Sequence, residues 1–229
     1  MPHILLGLLS FVITLTCYFF AKMLYRRVRV IWFAPIVLAP VAIVVLVKLL
    51  AISIPSYDQY THWLMALLAP ATIAFAVPIY RERALIAQYP LTISLGVITG
   101  LILGMGSSFL LSQMLPLPTE LAHSLLVRSV STPFAIEATQ EFGGVPELTA
   151  MLVLLTGIIG MLICEPLFKI AGIRSRLGKG AALGASAHGA GAAKACEIGQ
   201  QEGVVASLTM IFTGIAMVLG APLFALILG

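Results

Sequence analysis

Six long apolar segments constrain the fold of this chain more than any other feature of its sequence. They cover residues 4–21, 30–52, 63–80, 85–115, 148–171 and 204–228. Residues 53–60, between the second and third segments, predict a short polar loop. A helix needs about 20 mostly apolar residues to cross the hydrocarbon core of a bilayer. Because 60% of the 229 residues are hydrophobic and only 10% are charged, the composition excludes a soluble fold. We predict an all-α polytopic membrane protein, one membrane domain over residues 1–229 with about six full spans.

The basic residues predict how the chain is oriented. Lys22, Arg26, Arg27 and Arg29 follow the first span, and only His3 precedes it. Since basic residues mark the cytoplasmic ends of spans, we predict a bacterial inner-membrane protein with its N-terminus outside and the first span uncleaved. These positions explain the net charge of +4, so no nucleic-acid partner is expected. The cysteines form no C-x-x-C pair, and no metal site, cofactor or disulfide framework is predicted.

Two segments in the second half interrupt the apolar pattern. Residues 119–144 are long enough to be helical but carry Arg128, Pro133 and Glu137. If they crossed the membrane, Lys169 and the cations after it would lie outside, against the charge rule. We therefore predict a re-entrant hairpin there. Residues 180–203 are rich in Gly and Ala, which allow close packing and easy breaks. Charges decide less here, since almost none follow the segment, and by analogy with the first we predict a second hairpin that enters from the cytoplasmic side.

The two interrupted segments also resemble each other in sequence, at an offset of 57 to 60 residues. The aligned pairs are Glu137 with Glu197, Thr149 with Thr209, Gly157 with Gly214 and, at the 60-residue offset, Arg128 with His188. Chance similarity in an apolar sequence is the alternative. A true repeat would divide the chain into four spans (4–118) and two hairpin-plus-span units (119–229), which must be inverted relative to each other. Inverted repeats with broken helices are typical of secondary transporters.

The breaks carry groups that suit a small carboxylate. Hydroxyl side chains come just before a proline, at Ser129, Ser131, Thr132 and Pro133. We predict that Pro133 stops a helix, because its ring removes a hydrogen-bond donor and clashes with the preceding turn, and a nearby helix N-terminus carries a partial positive charge. Arg128 would add a bidentate contact to a carboxylate. Its alternative roles are an interfacial cation or a buried partner of Glu137.

Further candidates lie on the second segment. His188 would serve as an anion ligand or a proton carrier, and a structural histidine is the alternative. Lys194 is either another anion contact or a cation that reaches to the interface. Glu137 and Glu197 are candidates for proton coupling or simply surface acids at the hairpin mouths. The third span contains two prolines, Pro70 and Pro78, with Thr72 between them. They predict a kinked or opened helix that lines the same cavity. A kink without function is the alternative.

Three stretches resemble the LrgB/CidB family: P-A-T-I-A-F-A-V-P-I-Y (70–80), S-V-S-T-P-F-A-I (129–136) and G-A-S-A-H-G-A-G-A-A-K-A-C-E (184–197). The resemblance covers nearly the whole chain. It implies a likeness to proteins described as partners of holin-like LrgA/CidA proteins and tied to murein hydrolase control. It equally implies a likeness to half of the plastidal glycolate/glycerate translocator and to relatives linked to pyruvate uptake.

The chain departs from the family pattern at two places. It has Ser131 where the family usually has Thr, and its G-A-A-K, from Gly191 to Lys194, stands where the family usually has G-T-A-R. Lys makes a weaker bidentate anion contact than Arg, which puts the identity of the anion in doubt. On the second segment, the substrate-binding candidates are His188, Gly189, Gly191 and Lys194.

These patterns predict a secondary transporter of small monocarboxylates such as glycolate, lactate or pyruvate. The alternative is a regulator of murein hydrolase activity and autolysis that acts with an LrgA/CidA-like partner. No enzyme is expected, because Ser186 and His188 do not face each other on a helix and no G-x-S-x-G motif is present. Whether the chain forms a homo-oligomer is left open.

Overall fold

The computed structural model describes residues 2–28, 30–74 and 76–228, and within them every regular element is a helix. The predicted all-α class is thereby confirmed. The elements are α1 (Pro2–Val28), a 3₁₀ turn (Ile31–Phe33), α2 (Pro35–Leu49), α3 (Ile54–Ala66), α4 (Leu68–Ala74), α5 (Ala76–Arg81), α6 (Arg83–Gln88), α7 (Pro90–Met114), α8 (Thr119–Leu125), α9 (Thr132–Glu141), α10 (Pro146–Ile170), α11 (Arg176–Ile198) and α12 (Gln200–Leu228).

Five stretches of the described chain are long and apolar enough to cross a membrane. They are Ile4–Val28, Ile54–Arg81, Pro90–Met114, Pro146–Ile170 and Gln200–Ile227. The predicted count of six spans is not confirmed, because the 3₁₀ turn and Pro35 leave α2 only 15 residues long. A straight helix of that length extends about 22 Å, short of the roughly 30 Å hydrocarbon core.

One predicted loop is helical instead. We expected residues 53–60 to form a polar connection, but α3 begins at Ile54. Ser53 caps this helix, since its Oγ accepts a hydrogen bond of 3.4 Å from the Ser56 N–H, and Pro55 lies in the first turn. A serine cap followed by a proline is a favourable helix start. The polar residues of this stretch therefore begin a helix.

The chain packs as two compact units, one up to Ala71 and the other from Thr72. In the first unit α1 packs against both α2 and α3. A hydrogen bond of 3.0 Å joins Thr14 Oγ1 to the Tyr57 hydroxyl and links α1 to α3. Gly7 allows close contact there, because a methyl group at this position would lie 2.8 Å from Tyr60 Cδ2.

Three long helices, α7, α10 and α12, frame the second unit. Near the C-terminal end of α10, Cys164 shares a buried cluster with Met210, early in α12. Further back along α10, Val153 shares another cluster with Met217 and Met105. Moving backward along α10 thus means moving forward along α12, so these helices are antiparallel.

Helix α7 runs parallel to α12. Its N-terminal half packs on the early part of α12, where Ile93 and Val97 surround Leu208. Its C-terminal half reaches the level of Met217 through Met105. The directions of these three helices agree with the predicted path of the last three spans, and α8, α9 and α11 lie among them.

Candidate functional site

The first predicted hairpin is present as two short helices, α8 and α9, joined by the non-helical residues 126–131. Its two ends lie side by side. The Val145 N–H, after α9, donates a hydrogen bond of 2.8 Å to Ser124 Oγ in α8. The buried hydroxyls of Thr139 and Thr149 lie 2.8 Å apart and fasten α9 to the start of α10. The segment therefore turns back on itself.

The break in this hairpin comes before Pro133, not at it. Ser131 precedes α9, and Pro133 lies in its first turn, where the missing N–H costs no hydrogen bond. We predicted Pro133 as the residue that stops a helix, and in the structure it helps to begin one. The side chains of Ser129 and Ser131 are buried, and that of Ser131 makes no capping hydrogen bond. The first N–H groups of α9 thus point toward the break.

Arg128 is held by two serines of α7. Its Nε donates to Ser108 Oγ and its Nη2 to Ser107 Oγ, each at 2.9 Å. Glu137 is exposed, and no acidic side chain in the described part of the chain lies within ion-pair distance of Arg128. The alternative of a buried Arg128–Glu137 pair therefore does not occur here. The guanidinium keeps donors that neither serine occupies.

The second predicted hairpin is α11, which is broken at His188. Near its two ends, Gly180 and Cys196 would be about 24 Å apart along a straight helix. Both instead contact the start of α12. A methyl group at Gly180 would lie 2.6 Å from Glu202 O, and one at Gly203 would lie 3.0 Å from Cys196 Cα. The second segment also turns back on itself.

His188 forms the turn of this hairpin. Its backbone has φ 39° and ψ −121°, a conformation that costs a residue with a Cβ about 1–3 kcal/mol. Its side chain is only 4% exposed and faces α10, where a methyl group at Gly157 would lie 2.8 Å from Cε1. The ring lies near the Val153 backbone, yet Nε2 makes no hydrogen bond of good geometry within the described residues. A buried, unpaired nitrogen in a strained turn marks a functional candidate.

The two hairpins enter from opposite ends of α10. The first begins and ends beside the N-terminal end of α10, through Ser124 and Thr149. The second begins and ends beside the C-terminal end, where Lys194 Nζ lies 2.7 Å from Glu165 Oε1. Their turns meet the middle of α10 about one helical turn apart, since Val153 packs in the cluster of the first hairpin and Gly157 contacts His188.

The two hairpins also contact α7 near its middle. A methyl group at Gly104 would lie 2.8 Å from Ser129 Cβ, in the first hairpin, and one at Gly100 would lie 2.8 Å from Ala185 Cβ, in the second. Gly100 and Gly104 are one helical turn apart near the middle of α7. Two independent helices therefore place both breaks at about the same depth.

The remaining candidates occupy different surroundings. Gly191 packs against Leu183 of the opposite arm, whereas no atom lies within 4 Å of a methyl group at Gly189. Thr132 is half-buried beside the break. Pro70 is exposed, Thr72 and Pro78 are half-buried, and none of the three lines either of the two cavities described below.

Lys194 lies at the mouth of the second hairpin and not at its turn. Besides Glu165 it contacts Glu197 Oε2 at 3.5 Å, and its side chain is 16% exposed. Two carboxylates therefore compensate its charge. Glu197, a predicted coupling residue, is exposed at this mouth. Its aligned partner Glu137 is exposed on the first hairpin.

A comparison with known families identifies the group to which the chain belongs. The model described as the LrgB-like family matches residues 14–227. The chain belongs to this family. The predicted resemblance to LrgB and CidB is confirmed, and the match supports a multi-pass membrane protein. The inner membrane and the outside N-terminus stay predictions.

Curated relatives match over nearly their whole length. The Bacillus subtilis protein YwbG, described as uncharacterised, is 34% identical over 217 residues, which are 95% of this chain and 96% of the relative. The antiholin-like protein LrgB of the same organism is 27% identical, over 95% of both chains. The holin-like protein CidB of Staphylococcus aureus (strain N315) is 27% identical, over 96% of both chains. No solved structure matches the chain.

Two acidic residues of this LrgB-like chain escaped the sequence reasoning. Glu165 stands inside the otherwise apolar α10, and a charged residue within a span is a signal that could have singled it out. Glu202 is only 6% exposed at the start of α12. It lines a polar cavity of about 690 Å³ beside the second hairpin mouth, together with Glu82, Arg176, Lys179, Gln200 and Gln201. Its position near the end of the Gly-rich segment 180–203 gave no comparable signal.

Proposed function

We propose that the protein is a secondary transporter of small monocarboxylates of the glycolate, lactate or pyruvate type. One observation carries this proposal: two broken hairpins enter from opposite ends of α10 and meet near its middle. Discontinuous helices of this kind form the substrate sites of many secondary transporters, because their free helix ends supply polar groups at the bilayer midplane. Each hairpin is then a gate to one side.

The first hairpin supplies groups suited to a carboxylate. The start of α9 lies beside the buried hydroxyls of Ser129 and Ser131, and the partial positive charge of a helix N-terminus favours an anion there. Arg128 adds a charge that no acidic side chain of the described chain neutralises. The second hairpin brings His188, whose unpaired Nε2 is suited to hold a proton or donate to the anion.

Uptake of labelled glycolate and pyruvate into proteoliposomes tests this proposal. We expect Arg128→Ala and His188→Ala to reduce uptake about tenfold or more, the loss typical of a hydrogen bond to a charged ligand. Arg81→Ala removes an exposed cation outside both hairpins and serves as the matched control, with normal uptake. Normal uptake by Arg128→Ala and His188→Ala would contradict the proposal.

A second candidate is a regulator of murein hydrolases and autolysis that acts with an LrgA/CidA-like partner. The names of two relatives, antiholin-like LrgB and holin-like CidB, favour it. These names support it more directly than they support transport, since neither mentions a transported substrate. Under neither proposal do we assign a catalytic activity to the chain.

Co-purification with an LrgA/CidA-like protein, combined with an autolysis assay in a strain lacking this chain, tests the second candidate. We expect the wild-type chain to capture the partner and to restore the normal autolysis rate. The Arg128→Ala variant separates the candidates. If it restores autolysis but no longer takes up monocarboxylates, regulation does not depend on transport. If the chain neither captures the partner nor changes the autolysis rate, the second candidate fails.

A further inference from the structure

A basic pocket lies where α10 ends and α11 begins, outside the site described above. It has a volume of about 580 Å³. Three of its lining residues are the cations Lys169, Arg174 and Lys179, and its only acidic lining residue is Glu165. Glu165 is already engaged, since its carboxylate lies 2.7 Å from Lys194 Nζ. None of the three cations makes an ion pair within the described part of the chain.

The turn that forms this pocket is fixed by both of its helices. At the end of α10 the Ile173 N–H donates to Phe168 O at 2.9 Å, and Gly172 has φ 65°. This is the Schellman pattern, in which the residue after the glycine packs back on the helix. Ser175 then caps α11, accepting a hydrogen bond of 3.2 Å from the Gly178 N–H. The cations are therefore carried on a short, well-defined turn and not on a long loop.

The lining of the pocket combines apolar and positively charged residues. Phe168, Ile173 and Ile198 form the apolar part of its lining. It begins at the end of α10, a helix long and apolar enough to cross a membrane, which places it where the hydrocarbon core meets water. A ligand that fits carries a negative charge beside an apolar portion.

We propose that this pocket binds the phosphate group of an anionic phospholipid such as phosphatidylglycerol. Phosphate oxygens accept hydrogen bonds from Lys169, Arg174 and Lys179 together, and the glycerol and upper acyl chains cover the apolar residues. Basic clusters next to a span attract anionic head groups. Free inorganic phosphate has the same charged group without the apolar portion, so it would use only the cations. This proposal does not rest on the proposed transport.

The test uses the full-length protein in detergent and measures its melting temperature as lipid is added. Dioleoyl phosphatidylglycerol, dioleoyl phosphatidylcholine and inorganic phosphate are titrated separately. Two double variants are compared: Lys169→Gln with Arg174→Gln, and the matched control Arg26→Gln with Arg27→Gln. The control removes two exposed cations at the end of another span, α1, which do not line this pocket. Native mass spectrometry counts the lipid molecules retained by each protein.

We expect phosphatidylglycerol to raise the melting temperature of the wild-type and control proteins equally, and phosphatidylcholine to have little effect. The pocket variant should need at least tenfold more phosphatidylglycerol for the same rise in melting temperature. Each basic residue near an anionic surface contributes about 1 kcal/mol to the binding of anionic lipid. Equal responses of the two double variants would overturn the proposal, since they would show only a general attraction of cations. Lys179→Gln, a single change in the same pocket, replaces the double variant if that protein does not fold.

The phosphate arm identifies the source of the charged group. Stabilisation by inorganic phosphate alone, lost in the pocket variant and accompanied by no retained lipid, overturns the lipid assignment and leaves a phosphate site. Retained phosphatidylglycerol in the wild type, and its loss in the pocket variant only, supports the lipid assignment. If neither phosphatidylglycerol nor phosphate changes the melting temperature, both the lipid assignment and the phosphate site are overturned.

Discussion

Replacing Gly184 with alanine should weaken the contact between the second hairpin and α12. A methyl group there would lie 2.8 Å from the carbonyl carbon and 2.9 Å from the Cα of Ala206. Both are backbone atoms, so no side-chain rotation relieves the overlap, and the arm must move away by roughly 1 Å to restore ordinary contact. Overpacking of this kind costs about 1–3 kcal/mol. Because the overlap is with backbone atoms, the upper end of this range applies. Alanine's better helix propensity returns about 1 kcal/mol, which leaves a net loss of about 2 kcal/mol.

Thermal unfolding in one detergent measures this loss, with Gly106→Ala as the control. Gly106 lies in α7, and no atom lies within 4 Å of a methyl group at this position. Its replacement should keep the propensity gain and stabilise the protein slightly. For a chain of this size, 1 kcal/mol corresponds to about 2–4 °C, so Gly184→Ala should melt about 4–8 °C below the wild type. If it melts at or above the wild type, the hairpin arm does not pack on α12 as described.

Three further predictions use the same unfolding assay. His188→Gly should be about 1–2 kcal/mol more stable than His188→Ala, because only glycine adopts φ 39° without strain; equal stabilities would argue against this turn. Thr139→Val should lower the free energy of unfolding by about 1–2 kcal/mol, because the buried Thr149 hydroxyl keeps only poorer partners. The double variant Thr139→Val with Thr149→Val should lose less stability than the sum of the two single changes. Lys194→Gln should cost under about 1 kcal/mol, since Glu165 is 55% exposed, and a larger loss would mean that the pair is better shielded from water.

The two hairpins were predictable because each has a physical signal in the sequence. Polar and charged residues around Pro133 are incompatible with an ordinary span, and the cations after α10 indicated on which side the chain must emerge. The Gly/Ala-rich composition of the second segment allows two helical arms to approach closely. The charge rule was sufficient for the first hairpin only. The entry side of the second was inferred by analogy with the first, because no charged residue follows residue 203.

The residue at the second turn was not predictable from the same signals. Glycine is the usual residue at positive φ, and Gly189 and Gly191 both lie within three positions of the turn. In the structure His188 itself takes φ 39°, and Gly191 is used for close packing against Leu183. The choice depends on α10, where Gly157 leaves room for the imidazole. A contact between residues 31 positions apart has no local signature.

The partner of Lys194 was missed for a similar reason. The sequence offered Glu197, three positions away on the same helix, but the shorter ion pair is with Glu165 on α10. Helical spacing predicts neighbours on one helix and gives no information about which face of another helix lies opposite. The start of α3 shows the reverse situation. The Ser53 cap is local, yet the polar composition of residues 53–60 outweighed it in the sequence reasoning.

Two glycines that are aligned in the proposed repeat each contact the hairpin of the other repeat. Gly157 lies on α10, the span that follows the first hairpin, and contacts His188 of the second hairpin. Gly214 lies on α12, the span that follows the second hairpin, and contacts Phe134 of the first hairpin. Each span therefore supports the hairpin of the other unit. Two repeats related by an in-plane two-fold axis would show an exchange of this kind, and the repeat itself stays a prediction.

The exchange also has a mechanical consequence for the proposed transport. A hairpin that moved away from the span of the other repeat would lose the glycine contact near its turn. It would keep the contact beside its own span at its mouth, which is Ser124 with Val145 in the first hairpin and Gly180 with Glu202 in the second. Because both turns meet α10 within about one helical turn of each other, displacement of one changes the packing available to the other. Coupling of this kind is what alternating opening of two gates requires, and it follows from where the glycines of each unit lie.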